Sequence, residues 1–236
     1  MVATRRGRRL CPSRQASRTV RNVLLMCGIL AALSYVATDV LAGILYSGYS
    51  FTDQAVSELF AIGAPTSRIV VPFFTVSSTL LLAFALGVWS SSGRNRSLRL
   101  MALMMIGNAL NSVVLWNFFP MHMRGAERTF TDTMHVILAM NPMVLLSIAF
   151  GVAGFRNWFR FYSAGTIVIL LVPAVFAFLY VPEVEANQPT PGLGLGERVA
   201  QYGYQLWQVA LALLLVREQN AGTPRAGAVN GSNHDA

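Results

Sequence analysis

Charged residues are scarce in this sequence: Asp, Glu, Lys and Arg together make up 12% of its 236 residues. Soluble domains usually contain about 25% of these residues, so the chain has too little polar material to cover a water-soluble globule of its length. Hydrophobic residues make up 54% of the chain, and the mean hydropathy is +0.51. The composition therefore excludes an ordinary soluble domain and predicts an integral membrane protein.

Lysine is absent, and all 18 basic residues are arginine, which with 10 acidic residues gives a net charge of +8. A chain this basic could bind nucleic acid. The arginines, however, are concentrated at the termini and in alternate loops, which is typical of the cytoplasmic segments of membrane proteins. We therefore expect its partners to be membrane lipids and not nucleic acid.

Cysteine is rare as well: Cys11 and Cys27 both fall at or before the inner end of the first apolar run. This placement excludes a disulfide framework on the outside, and no CxxC or similar metal-binding spacing occurs. The sequence also lacks the GxSxG, Walker and HExxH patterns. No established motif therefore identifies a catalytic activity.

Long apolar runs are what the sequence does contain. There are six, at 23–46, 69–89, 99–119, 134–154, 161–181 and 199–216. A helix of about 21 residues rises about 31 Å, which matches a hydrocarbon core of about 30 Å. Long runs without alternation exclude a transmembrane β-barrel, so the sequence predicts an all-α bundle of six transmembrane helices.

The distribution of arginine predicts the orientation of this bundle. Fourteen arginines lie in the two termini, in loop 155–160, or in loop 90–98 together with the following Arg99, and four lie on the other side. The positive-inside rule then places both termini in the cytoplasm, and we expect the bundle to lie in the plasma membrane. We expect a basic cytoplasmic tail at 1–22, a transmembrane domain at 23–216 and a disordered cytoplasmic tail at 217–236.

The first outer loop contains an amphipathic stretch at 51–62, with Val56, Leu59 and Phe60 at helical spacing. Ser50 with Asp53 can cap its start, and Gly63 and Pro65 follow its end. We predict a short interfacial helix lying along the outer membrane surface.

Several short segments resemble the domain-of-unknown-function 998 family of six-span prokaryotic membrane proteins. They are Tyr46-Ser47-Gly48-Tyr49-Ser50, Gln54, Ser57-Glu58-Leu59, Gly63-Ala64-Pro65, Phe119-Pro120, Asp132 with His135, Gly196-Glu197-Arg198, and Trp207. The resemblance covers roughly residues 23–216. It implies the six-span topology and assigns no activity.

Polar residues inside hydrocarbon are costly and mark candidate functional sites. Four spans each place one such residue about 9–12 Å below the outer surface. These residues are Asp39, Asn111, Asn141 and Gln205, and we add Glu58 of the outer loop to this ligand-binding set. They predict a polar pocket that opens outward. The alternative is that they hydrogen-bond one another and lock the bundle together.

A second candidate site contains His122, Asp132 and His135. Asp132 and His135 are three residues apart and share a helix face, and two imidazoles with a carboxylate could bind zinc and leave one position for water. Such a water could hydrolyse a lipid ester or amide. The alternative is that Asp132 caps the fourth span and pairs with Arg128, while the histidines face interfacial water.

Three functions are compatible with these patterns. The first is a non-enzymatic membrane protein without a cofactor, whose outward pocket binds a lipid headgroup or a small polar ligand. The second is a zinc-dependent membrane hydrolase acting on lipid. The third is a small transporter, which the low polarity of the inner half disfavours.

Overall fold

A computed structural model describes residues 12–221 of the chain, with side chains from residue 16 onward. The helices are α1 (Pro12–Leu45), α2 (Ser67–Ser91), α3 (Arg96–Phe118), α4 (Phe130–Ala139), α5 (Pro142–Gly154), α6 (Trp158–Leu179), α7 (Val181–Glu185) and α8 (Leu193–Ala221). Helices α4 and α5 together form the fourth span, and α7 is a short loop helix. Six stretches are long and apolar enough to cross a membrane, so the predicted all-α polytopic bundle is confirmed.

The helices extend further than the apolar runs at both ends of the chain. Helix α1 begins at Pro12, so residues 12–22 of the predicted tail are helical, while residues 1–11 lie outside the described residues. Helix α8 continues to Ala221, and the rest of the predicted C-terminal tail also lies outside them. Hydropathy marks only the part of a helix inside hydrocarbon, whereas the arginine-bearing turns continue the helix beyond it.

Two irregular stretches interrupt the spans at similar depth. Residues Asn111–Leu115 of α3 form a π-helical turn. The fourth span breaks at Asn141, which caps the start of α5 through its side chain, because Pro142 has no N–H to continue the preceding helix. Pro173, by contrast, lies inside the uninterrupted helix α6.

The six spans form a closed ring in which each packs against the next in sequence and α8 returns to α1. The crossing of α1 and α2 is close because glycines lie there. A Cβ added at Gly28 would lie within about 2.8 Å of the Phe84 ring, and one at Gly87 would lie 2.9 Å from Leu24 Cβ. Large side chains from several helices, among them Phe84, Phe159 and Trp207, fill the interior.

The two ends of the bundle differ. The loop end is the end that contains loops 46–66, 119–129 and 180–192. The arginine end contains the short loops 92–95 and 155–157, the first turns of α1 and the last turns of α8. The loops of the loop end are connected by backbone hydrogen bonds, from Ile62 N–H to Met121 O at 2.8 Å and from Gly125 N–H to Val184 O at 3.2 Å.

The predicted interfacial helix at 51–62 is shorter and more buried than expected. Only Val56–Phe60 is helical, as a 3₁₀-helix, and its residues Val56 and Leu59 are buried beneath the loop end. The preceding residues instead contact α8, where Leu195 N–H donates to Thr52 O at 3.0 Å. Ser50 caps a turn instead of the predicted helix, because its Oγ accepts the Asp53 N–H at 3.2 Å.

Candidate functional site

A buried ion pair joins the first and last spans beneath the loop end. Asp39 of α1 is fully buried, and Arg198 of α8 is 6% exposed. The guanidinium binds the carboxylate through two parallel hydrogen bonds, Nε to Oδ2 at 2.9 Å and Nη2 to Oδ1 at 2.8 Å. The Tyr202 hydroxyl donates to Oδ2 at 2.5 Å. Asp39 therefore has a complete set of protein partners.

The same guanidinium holds loop 46–66 against α8. Its Nη1 donates to Phe51 O at 2.9 Å and to Gly194 O at 3.2 Å, and its carbon lies 4.8 Å from the centre of the Phe51 ring. Gly194 is required here, because a Cβ at this position would lie 2.7 Å from Phe51 O. The first turn of α8 can therefore pack directly against loop backbone.

Tyr49 completes the surroundings of Arg198. Its hydroxyl accepts from Arg198 Nη2 at 2.8 Å and donates to Ala55 O at 2.8 Å. Burial raises the pKa of Tyr49 above its usual value, and the Arg198 guanidinium opposes this only in part. The hydroxyl therefore stays protonated and can serve both bonds.

A second ion pair connects the three loops of the loop end. Glu58 is 2% exposed, and its Oε1 lies 2.9 Å from Arg124 Nη2. Gln54 Nε2 and the Ala55 N–H also donate to its carboxylate, at 3.0 and 2.9 Å. Arg124 in turn donates to the Thr190 hydroxyl at 2.9 Å. This pair therefore ties loops 46–66, 119–129 and 180–192 together.

Glu197 places a third carboxylate close to these pairs. Its Oε2 accepts the Val56 N–H at 2.8 Å, and among the described residues it forms no ion pair. The Glu197-Arg198 dipeptide is thus divided between two tasks: Glu197 caps the 3₁₀-helix, whereas Arg198 pairs with Asp39.

The three candidate zinc ligands are only partly brought together. The His122 Nδ1 lies 3.0 Å from Asp132 Oδ2, and its backbone N–H donates to Oδ1 at 2.7 Å. Asp132 also accepts the Thr129 N–H at 2.9 Å, so it caps α4. The proposed pairing of Asp132 with Arg128 is wrong, because Arg128 Nη1 lies 2.9 Å from Glu185.

His135 lies apart from this pair, in an aromatic environment. Its Nδ1 donates to Phe119 O at 3.0 Å, and its ring centre is 4.6 Å from that of Trp116. The buried Nε2 has no hydrogen-bond partner among the described residues. Within these residues no group of three His, Cys, Asp or Glu side chains could hold a metal ion. This geometry gives zinc binding no support, and zinc binding stays a prediction.

Asn111 and Asn141 of the predicted pocket line one groove. It has a volume of about 570 Å³ and lies between the π-helical turn of α3 and the break between α4 and α5. Asn111 Nδ2 donates to Leu138 O at 3.3 Å. That carbonyl lies four residues before Pro142, so it is the one that proline deprives of a helical donor.

Asn141 connects the groove with the bundle interior. Its Nδ2 donates to Asn108 Oδ1 at 3.0 Å, and Asn108 Nδ2 lies 3.4 Å from the Tyr204 hydroxyl. Gln205 is absent from this chain of contacts: its Oε1 accepts from Gln208 Nε2 at 2.9 Å. The four residues thus have separate hydrogen-bond partners, and of them only Asn111 and Asn141 line the same groove.

The model of a family described as a protein of unknown function (DUF998) matches residues 29–214. The chain belongs to the DUF998 family. The match runs from the first span to the sixth and includes the three loops of the loop end, so the family resemblance found in the sequence is confirmed. No curated protein and no solved structure is similar to this chain.

Sequence reasoning missed several polar residues of this DUF998 protein. Arg198, Arg124 and Asn108 belong to none of the candidate sites that the sequence predicts. A usable signal existed for Arg198, because an isolated intramembrane carboxylate such as Asp39 needs a cation nearby. Arg198 stands in the first turns of the span that closes the ring against α1.

Proposed function

We propose that this integral membrane protein binds an amphiphile of the bilayer in the groove between α3 and the α4–α5 break. The observation that carries the proposal is that two helix irregularities, the π-helical turn and the break at Pro142, face the same groove. Irregular backbone at membrane depth and π-helical turns are both features that accompany functional sites.

The groove walls indicate a ligand that arrives through the membrane. Leu110, Val114 and Ile137 line it and are 46%, 42% and 56% exposed. Exposed apolar side chains within a span contact lipid chains, so an acyl or other apolar chain can enter from the side without crossing the polar loops. This favours a lipid over a water-soluble ligand.

Asn141 supplies the polar contact for such a ligand. Its Oδ1 accepts from Met143 N–H and its Nδ2 donates one hydrogen to Asn108, which leaves an amide hydrogen and an acceptor lone pair for the groove. A carbonyl or hydroxyl on the ligand would satisfy them. In this proposal Asp39, Glu58 and Gln205, whose partners lie within the protein, hold the bundle and its loops in place.

A groove-filling substitution tests the proposal. Val114→Trp should displace lipid that co-purifies with the wild type in mild detergent, as measured by native mass spectrometry and lipid analysis. Val172→Trp is the matched control, because Val172 of α6 is 52% exposed and lies outside the groove. Equal retention of lipid by the two variants would contradict the proposal.

A polar substitution tests the same site without filling it. Asn141→Ser keeps a side-chain oxygen that can cap α5 but removes the amide hydrogens. We expect weaker binding of the lipid that Val114→Trp displaces, with the fold unchanged. Unchanged affinity would assign Asn141 a capping role alone.

We also propose that the arginine end faces the cytoplasm. The fourteen-to-four distribution of arginine supports this orientation. Fusions of a reporter that is active only in the cytoplasm, made at each terminus, should both be active, and a fusion in loop 180–192 should be inactive.

A further inference from the structure

A second groove lies between α1 and α2 at the arginine end. It has a volume of about 450 Å³ and is lined by residues that include Val20, Arg21, Leu24 and Ser90. The two helices are in close contact at Leu24 and Gly87. Beyond that crossing α2 ends at Ser91, whereas α1 continues to Pro12. The groove therefore lies beside α1, in the space beyond the end of α2.

Arg21 brings an unused hydrogen-bond donor into this groove. Its Nε is buried and has no partner among the described residues. A guanidinium is always charged and carries all its hydrogen-bonding capacity as donors, so the natural complement of this group is an anion. Ser90 adds a hydroxyl to the lining. The groove thus combines one cationic fork with polar and apolar walls.

The depth of Arg21 matches the phosphate layer of a membrane. Helix α1 has 34 residues and is about 51 Å long, which exceeds the hydrocarbon thickness of about 30 Å. Tyr46 and Arg21 are 25 residues apart, a rise of about 37 Å. If the loop end of α1 lies at one interface, Arg21 lies in the headgroup region of the other.

The electrostatic surroundings reinforce this preference for an anion. The ion pairs formed between described residues, those of Asp39, Glu58, Asp132 and Glu185, are all at the loop end. At the arginine end, the described residues include arginines in α1, in α8, in both short loops and in the first turns of α3 and α6. Glu218 is the one acidic residue among the described residues of this end. Arg21 therefore stands at an end where arginines outnumber the single described carboxylate and where no ion pair forms between described residues.

We propose that the groove between α1 and α2 binds the phosphate of an anionic lipid, with Arg21 as the phosphate-binding residue. The lipid chain lies along α1 and α2, and its headgroup reaches the guanidinium. Basic pockets between transmembrane helices are suited to anionic headgroups. This site is separate from the groove of the proposed function, so either can fail without the other.

Native mass spectrometry of the full-length protein in detergent, titrated with phosphatidylglycerol, tests the site. Arg21→Gln should raise the dissociation constant for the first bound phosphatidylglycerol about tenfold, the size expected for losing a charge-assisted hydrogen bond. Arg160→Gln is the charge-matched control, because Arg160 lies at the same end, is exposed and does not line the groove. It should change the constant within about twofold. Equal effects of the two substitutions would overturn the proposal, since the attraction would then be spread over the whole end.

Three further measurements keep the proposal open to refutation. Val20→Trp fills the groove from a 60% exposed position without changing charge, and it should weaken phosphatidylglycerol binding even if Arg21→Gln does not fold. Phosphatidylcholine should bind more weakly than phosphatidylglycerol, because its choline group is repelled by the arginines. Inorganic phosphate alone should not compete at millimolar concentration, and competition as strong as that of the lipid would identify a free-phosphate site instead.

Discussion

The loop end and the arginine end carry opposite charge, and they use it differently. At the loop end carboxylates and guanidiniums pair inside the protein, as in Asp39–Arg198 and Glu58–Arg124, and both pairs are largely buried. At the arginine end the guanidiniums of the described residues form no ion pair. The comparison suggests that charge at the loop end holds structure together, whereas charge at the arginine end is available to the membrane.

Breaking the buried pair should have the largest effect. Arg198→Met leaves the fully buried Asp39 carboxylate without its cation, which should lower the free energy of unfolding by about 3–5 kcal/mol. Arg160→Met, the corresponding change at the arginine end, should cost no more than about 0.5 kcal/mol. Chemical denaturation in mild detergent measures both. The double variant Asp39→Asn with Arg198→Met should recover part of the loss, and similar losses for the two single variants would refute the contrast between the ends.

Removing the ion pair that connects the loops of the loop end should have a smaller effect. Arg124→Met deprives the buried Glu58 of its cationic partner and should cost about 1.5–3 kcal/mol, the range for hydrogen bonds to charged groups. Hydrogen exchange should accelerate in loops 46–66 and 180–192 together, because Arg124 contacts both. Arg68→Met is the control at the same end, since Arg68 is exposed. Faster exchange confined to loop 119–129 would show that the three loops are not coupled.

The break between α4 and α5 allows a test of a single hydrogen bond inside the membrane-spanning part of the bundle. Asn111→Leu leaves Leu138 O, the carbonyl freed by Pro142, without its donor, and should cost about 1–2 kcal/mol. In a Pro142→Ala background the restored N–H can serve that carbonyl, so the same substitution should cost less there. A double-mutant cycle of unfolding free energies measures the coupling. Additive effects would mean that Asn111 does not serve this carbonyl.

The smallest expected effect concerns pH at the loop end. The pKa of Asp53 is below its usual value, first because its carboxylate accepts the Gly192 N–H and then because of Ser50 and Thr52. A carboxyl with a lowered folded pKa stabilises above its unfolded pKa, and this stabilisation disappears as pH falls through the folded value. The protection of amides around residue 192 from hydrogen exchange, relative to their intrinsic exchange rates, should therefore fall below about pH 4. Asp53→Asn should remove this pH dependence, and a variant that kept it would assign the effect to another group.

The amino-acid sequence alone was enough to predict the class and the outline of this protein. Apolar runs of 18 to 24 residues need a hydrocarbon solvent, so composition and run length predicted six spans and their order. The sequence also predicted which polar residues need hydrogen-bond partners, because an amide or carboxylate in hydrocarbon is costly wherever it points. Asp39, Asn111 and Asn141 all proved to be hydrogen-bonded.

The identity of the hydrogen-bond and ion-pair partners could be read only from the folded structure. Depth along a helix gives one coordinate, whereas contact also depends on the rotation of each helix and on which spans are neighbours. Closure of the ring brought Arg198 to Asp39 across 159 positions of sequence. Pro142 has no N–H to bond Leu138 O, and the donor that this carbonyl receives instead is the Asn111 side chain of another helix. Pairing at long range follows from packing, because a single sequence records the depth of a polar group but not its direction.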